Sequence, residues 1–190
     1  MSETAAPPAA EGQQLPPLTV NIQYVKDLSF EVPGAPEIYT TLRSQPNVNI
    51  NLDVQARRIQ EGHEVFEVVL QIKAEATEPQ APAPNGQAAN GPANGQSADN
   101  QAAGVQATGG RPVFIAELAY AGVFTLSNVP ENTVEPVLLV ECPRLLFPYA
   151  RNILADVTRD GGFPPVLLQP IDFVSLWQSR RAQGTTTAAV

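Results

Sequence analysis

One cysteine (Cys142), one histidine (His63), one methionine and one tryptophan are all that the 190 residues contain of these types. A lone cysteine excludes an internal disulfide framework and fits a reducing compartment. One cysteine and one histidine also fall short of a zinc site or a histidine relay. Basic charge is scarce: 11 Lys and Arg against 19 Asp and Glu leave a net charge of -8, with a pI near 4.6. That balance argues against a nucleic-acid binder, which needs basic surface against phosphate. No apolar run approaches the roughly 18 residues that cross a bilayer, and the N-terminus has no basic stretch leading into an apolar core. A soluble cytoplasmic protein with no direct membrane insertion is expected. Nucleotide and nucleophile signatures of the GxGxxG, phosphate-loop and GxSxG types are missing as well. Asp27, Glu31, Glu67 and Glu117 are scattered carboxylates with no visible general-base partner, and Cys142, followed by Pro143, reads as a small buried thiol. The expectation is a protein that is not an enzyme, with no metal and no cofactor.

What is present is 43% hydrophobic residues, enough for one domain with a real core. Three pieces stand outside that core. Residues 1–17, rich in Ala, Pro, Glu and Gln, are expected to form a disordered N-terminal tail. Residues 79–110 contain no aromatic residue and one charge, Asp99, and 28 of the 32 are Ala, Gly, Pro, Asn or Gln. Such a stretch buries too little apolar surface to offset its ordering entropy, so it is expected as a low-complexity insertion. Closing it between two strands costs about 2 kcal/mol more than a four-residue turn, which a stable sheet absorbs. Residues 183–190 form a short flexible C-terminal tail. A single domain is thus expected over 18–182, interrupted at 79–110.

Within the domain the first half has a period of two. Leu18, Val20, Ile22 and Tyr24 alternate with Thr19, Asn21 and Gln23, and Val48, Ile50, Leu52 and Val54 with Asn49, Asn51 and Asp53. Phe66, Val68, Leu70, Ile72 and Ala74 alternate with Glu67, Val69, Gln71 and Lys73, and strand composition resumes over 113–118 and 123–126. Alternation of this kind marks antiparallel strands with one face buried and one wet. The period then changes. After Pro148, placed in a first helical turn where its missing amide is harmless, Ala150, Ile153, Leu154 and Val157 recur at three- and four-residue steps. Gly161 and Gly162 end that helix. Pro164, Pro165 and Pro170 keep the next segment extended, and Asp172 is a candidate N-cap for a second helix over 173–182. Strands first and helices last give an α+β fold: a four-stranded antiparallel sheet with two C-terminal helices on one face.

The helical half also carries a specific resemblance. FPYAR at 147–151, followed by GGFPPVLLQPIDF at 161–173, resembles the C-terminal half of SecB, the bacterial protein-export chaperone family. Collinear matches extend it: YVKDLSFEVPGAP at 24–36, QPNVNINLDV at 45–54, EVFEVVLQIKAEAT at 64–77 and FIAELAYAGVFTLSNV at 114–129. Coverage is roughly 18–182 apart from the insertion. The departures are the long N-terminal tail, the insertion, and an uncharged GTTTAAV terminus where family tails contact the ATPase SecA.

The resemblance implies an ATP-independent chaperone that binds unfolded secretory precursor proteins, keeps them translocation-competent and delivers them to SecA. It implies a homotetramer, a dimer of dimers, with a long helix over about 137–160 between subunits. It matches Asp27, Glu31, Ile115 and Glu117 to the surface that meets SecA. Strand parity agrees to the extent that Ile115 and Glu117 share a face while Phe114, Ala116 and Leu118 take the other. For the client-binding groove the candidates are Val48, Ile50, Leu52, Phe163, Leu167, Leu168, Phe173 and Trp177; each serves equally well as intramolecular core. Two other functions stay open at this point: a chaperone dedicated to one client such as an antitoxin, and a small-ligand carrier using the same cavity.

Overall fold

The computed structural model describes residues 16–79, 110–182, 184 and 188–189. Apart from their margins, the expected N-terminal tail, insertion and C-terminal tail lie outside the described residues. Four long strands, β1 (Leu18–Glu31), β2 (Asn47–Arg58), β3 (Val65–Thr77) and β4 (Pro112–Leu126), form an antiparallel sheet in the order β1-β4-β3-β2. A two-residue β5 (Ala188–Ala189) adds a parallel bridge to Ala56 and Arg57 at the outer edge of β2. The insertion leaves and re-enters at facing strand ends, where Thr77 pairs with Pro112 and the Glu78 amide donates to the Arg111 carbonyl at 2.9 Å.

Side chains alternate across the sheet, and the register aligns the parity of three strands. Even-numbered residues of β2, β3 and β4 pack under the helices; Phe66, Val68, Leu70, Ile72, Ala116, Leu118 and Phe124 are all buried there. Odd-numbered residues form the open face. β1 departs from this simple pattern. Register shifts between Val20 and Ile22 and between Val25 and Asp27 leave Leu18, Val20, Leu28 and Phe30 opposite helix-side residues, but Ile22, Tyr24, Asp27 and Glu31 opposite open-face residues. The even spacing of Leu18, Val20, Ile22 and Tyr24 therefore does not mark one face, because a bulge inserts an extra residue and reverses the parity.

The helical layer starts earlier than Pro148. A short α1 (Ile38–Thr41) follows β1. Then α2 (Glu131–Pro136), a π-helical turn (Val137–Glu141) and α3 (Cys142–Asp160) run on without a break. Pro148 lies inside α3 and Pro136 inside α2. An interior proline removes one i to i-4 bond and crowds a carbonyl, a penalty of about 3 kcal/mol. Burial of Leu138, Leu139, Leu146, Phe147, Ala150 and Leu154 outweighs it, and the wide π-helical turn lies just ahead of Pro143, where it gives the ring room beside the Leu139 carbonyl. The span implied by the resemblance, about 137–160, coincides with the π-helical turn plus α3.

Two sequence signals act as read. Gly162, at φ +85°, ends α3: its amide donates to the Arg159 carbonyl and that of Phe163 to Thr158, the paired bonds of a Schellman stop. Asp172 caps α4 (Phe173–Ala182), with Oδ1 accepting from the amides of Val174 at 3.0 Å and Ser175 at 3.2 Å. Those bonds, with the Ser175 hydroxyl contributing most, hold its carboxyl below the usual range.

Candidate functional site

Residues 163–172 cross from α3 to α4 without regular structure. Pro164, Pro165 and Pro170 hold the crossover extended, and a buried threonine fixes where it runs. The Thr158 hydroxyl donates to the carbonyls of Leu154 and Ala155 and accepts from the Val166 amide at 3.0 Å. Val166 is thereby turned inward, Leu168 is buried, and Leu167 is left 60% exposed. Between this crossover and β2 lies a cavity of about 480 Å³, lined by Val48, Ile50, Phe114, Leu167, Leu168 and the residues beside them, from Gln45 and Pro46 to Gln169. Its lining is apolar, with polar groups at the ends.

The cavity runs beside a sheet edge. In an antiparallel strand the N–H and C=O of one residue point the same way, and alternate residues face opposite neighbours. The Leu52 carbonyl of β2 faces outward, since it accepts from Arg180 at 2.7 Å. With the β2–β3 register unbroken, Val48 and Ile50 also turn their backbone groups outward while their side chains line the cavity. An extended polypeptide lying there meets backbone donors, backbone acceptors and apolar side chains together.

Of the eight groove candidates, the structure brings Val48, Ile50, Leu167 and Leu168 around this cavity. Leu52 follows on the same side of β2, packed against the core. Phe163 is buried in an aromatic cluster, 5.0 Å from Phe114, 5.4 Å from Tyr39 and 6.4 Å from Phe30 between ring centroids. Phe173 is only 1% exposed and meets Phe147 edge to face. Trp177 packs against the core and donates from Nε1 to Glu135 at 3.0 Å. Sequence reasoning missed Phe114 as a lining residue, because its even parity marked it only as core. It also missed Thr158, whose hydroxyl carries no signal on an apolar helix stripe.

The opposite face is charged. Asp27, Glu31, Ile115 and Glu117 all lie on it, with Glu31 opposite Ile115 and Asp27 opposite Ala119. Asp27 and Glu117 share a cavity of about 340 Å³ with Asp53 and Lys73. Lys73 bridges Glu75 at 2.8 Å and Glu117 at 3.1 Å, and these two bonds raise its ammonium pKa. Farther along β3, Glu67 is 3% exposed. Burial disfavours its charge, but hydrogen bonds from the Tyr24 hydroxyl, Lys26 (2.9 and 3.0 Å) and Arg57 (2.6 Å) outweigh it and hold the carboxyl down at about 2. Its bond from Tyr24 in turn pushes that phenol up. Cys142 lies wholly inside, and desolvation raises its thiol to about 12, far from a nucleophile's range. Among the described residues no cluster of His, Cys, Asp and Glu could hold a metal ion, and no helix is long and apolar enough to cross a membrane.

The family described as preprotein translocase subunit SecB matches residues 11–85 and 99–184. The chain belongs to the SecB family. It is 64% identical over 179 residues to the protein-export protein SecB of Acidiphilium cryptum, covering 92% of this chain and 96% of that one. It is 56% identical over 185 residues to the SecB of Gluconacetobacter diazotrophicus, covering 96% and 95%. Among solved structures, the SecB-like chaperone of Mycobacterium tuberculosis in complex with an antitoxin peptide aligns with a TM-score of 0.54. It is 13% identical and covers 81% of this chain and 90% of that one, a likeness of fold. Membership in a family of protein-export chaperones favours the chaperone over a ligand carrier. The SecB match takes in both sheet faces and the crossover, so the apolar cavity and the acidic face belong to one family unit.

Proposed function

We propose that this chain is an ATP-independent holdase of the cytoplasm, one that binds unfolded secretory precursors and passes them to SecA. The observation that carries the reading is the open apolar cavity beside the backbone edge at Val48 and Ile50, unpaired among the described residues. Such a surface accepts many extended sequences without selecting one: the edge recognises any backbone, and apolar walls reward hydrophobic side chains generally. The described residues that line the cavity are apolar side chains, prolines and two glutamines, a set suited to binding. SecA is assigned to the open face around Asp27, Glu31, Ile115 and Glu117, where carboxylates with an apolar neighbour suit a partner bearing basic side chains. A homotetramer would present several cavities to one precursor and add avidity through effective concentration. Residues 79–110 are assigned as a spacer, since the strand ends they join already face each other at Thr77 and Pro112.

The test is dilution of a denatured precursor into the protein, with complex mass read by light scattering after size exclusion. The expected species contains four chains of 20.3 kDa each and carries precursor only in its non-native form. A protein that ignores every unfolded polypeptide, or that binds one antitoxin alone, would overturn the reading. Reversing the charges of Asp27, Glu31 and Glu117 should weaken SecA binding and leave client binding intact. Deleting residues 79–110 in favour of a short turn should preserve folding and holdase activity.

A further inference from the structure

Besides the packing of Val174 and Leu176 on the core, helix α4 is fastened to the rest of the fold at three places. Phe173 sits in the core, Trp177 bonds Glu135, and Arg180 reaches the edge of β2. Arg181 instead lies over the Trp177 ring at 5.1 Å. Arg180 has two acceptors of different character. Its Nη2 donates to the Leu52 carbonyl at 2.7 Å, the next outward-facing backbone group after Val48 and Ile50. Its Nη1 pairs with Oδ1 of Asp53, whose odd parity sets its carboxylate on the other side of the sheet. There Asp53 lines the same cavity as Asp27, Lys73 and Glu117. One guanidinium thus bonds the backbone edge of β2 just past the groove and a carboxylate of the open face.

We propose that Arg180 is a positioning residue that couples the two faces: it clamps α4 across the end of the client groove, and a cationic side chain entering the open-face cavity releases the clamp by competing for Asp53. The charges favour such competition. The cavity holds the carboxylates of Asp27, Asp53 and Glu117 against the single ammonium of Lys73, which Glu75 and Glu117 already share. The Arg180 and Asp53 side chains are 27% and 35% exposed, so the pair is open to exchange with a solvent-borne cation. Release uncovers the Leu52 carbonyl and lengthens the bare edge by two residues, about 7 Å at the rise of a strand. It also frees the last turn of α4. A basic partner on one face would then alter the grip on client at the other, which is coupling in the thermodynamic sense. The client arm rests on the holdase reading; the motion of α4 does not.

The experiment uses the full chain, hexalysine as the cationic probe at low salt, and an iodoacetamide-alkylated, permanently unfolded protein as client. Amide hydrogen exchange across residues 176–182, hexalysine affinity and client affinity are measured for the parent, Arg180→Gln and Arg180→Lys. In the parent, saturating hexalysine should speed exchange in α4 and shift client affinity by about tenfold, the middle of the range for coupled sites. In Arg180→Gln, exchange should already be fast, hexalysine should bind more tightly because Asp53 is free, and client affinity should no longer respond. Arg180→Lys, which cannot fork onto both acceptors, should lie between. Unchanged hexalysine affinity in Arg180→Gln overturns the proposal, because Asp53 is then not what the cation competes for. So does a parent α4 that fails to respond to saturating probe, or a client response that survives in Arg180→Gln. Failure of the holdase reading is distinguishable, since it removes client binding from every variant and leaves the exchange readout standing.

Discussion

Replacing Glu67 by Gln isolates the electrostatic contribution of one buried carboxylate. The site is 3% exposed and receives hydrogen bonds from Tyr24, Lys26 and Arg57. Those bonds, working against desolvation, take the carboxyl from 4.5 to about 2. At about 1.36 kcal/mol per pH unit the displacement corresponds to about 3 kcal/mol. Lys26 and Arg57 are 41% and 61% exposed, and solvent screening of their charges reduces the value to about 2 kcal/mol. The sign follows from linkage. The folded pKa lies below the unfolded one, so the unfolded chain binds the proton first, and stability is complete above about pH 5 and lost as pH falls from 4.5 toward 2. Glu67→Gln removes the titrating group and leaves Lys26 and Arg57 able to turn to water. The assay is urea unfolding of parent and variant at matched protein concentration, from pH 7 down to pH 3. Matching matters because an oligomer's stability depends on concentration. The variant should be less stable by about 2 kcal/mol at pH 7, with the gap shrinking by about half at pH 3. A gap that stays constant across this range would refute the reasoning, since it would trace the loss to packing or to a misfitted amide.

Three further experiments test the cavity and the core. Phe163→Ala empties a position ringed by Phe30, Tyr39 and Phe114 and should cost about 3–4 kcal/mol in urea unfolding, the range for burying and then deleting a phenylalanine. Val48→Asp combined with Leu167→Asp, at side chains 38% and 60% exposed, should change stability by about 1 kcal/mol or less. The same pair should weaken binding of an unfolded client at least about tenfold by fluorescence anisotropy, because it sets charge on the apolar wall. Cys142, buried and held at about 12, should resist a thiol reagent at pH 8 in the native protein and react only as fast as the fold opens, a rate that urea accelerates.

How much of this was legible in the sequence depended on whether the signal was local. Period-two alternation gave the two faces of β2, β3 and β4 correctly because no bulge interrupts them until the last pair. β1 defeated the same reasoning: nothing in LTVNIQYVKDLSFE announces the extra residues that move Ile22 and Tyr24 to the open face. Gly162 and Asp172 were readable because helix stops and caps are made within a few residues. The start of α3 was not, since Pro148 argued for a boundary on local grounds and lost to burial of the surrounding apolar stripe. The lining of the apolar cavity was half legible. Val48, Ile50, Leu167 and Leu168 carry the pattern of apolar residues on an extended chain, but whether an aromatic is floor or wall depends on where the crossover lies. Thr158 and Arg180, which fix the crossover and α4, act through partners 8 and 127 residues away, and composition does not show such partners.

The parity of β2 keeps the apolar cavity and the charged face apart. Val48, Ile50 and Leu52 turn to the groove side, while Asn49, Asn51 and Asp53, interleaved with them, turn to the acidic face. Under the proposed function, cargo and partner chemistry would be written on alternate residues of one strand, and a one-residue slip would exchange them. This makes the register of β2 on β3 the most consequential pairing in the fold. It is also the regular one, running from Asn47 opposite Thr77 to Arg58 opposite Phe66 without a shift, whereas β1, at the far edge, tolerates two. The regularity has a physical source. Every helix-side position of β3 is apolar from Phe66 to Ala76 and nearly inaccessible, so a one-residue slip of β2 would bring asparagines and an aspartate against that core at a cost of several kcal/mol. The same buried stripe that stabilises the domain thus enforces the separation of its two surfaces, and Asp53, paired with Arg180 at the strand edge, lies where the two meet.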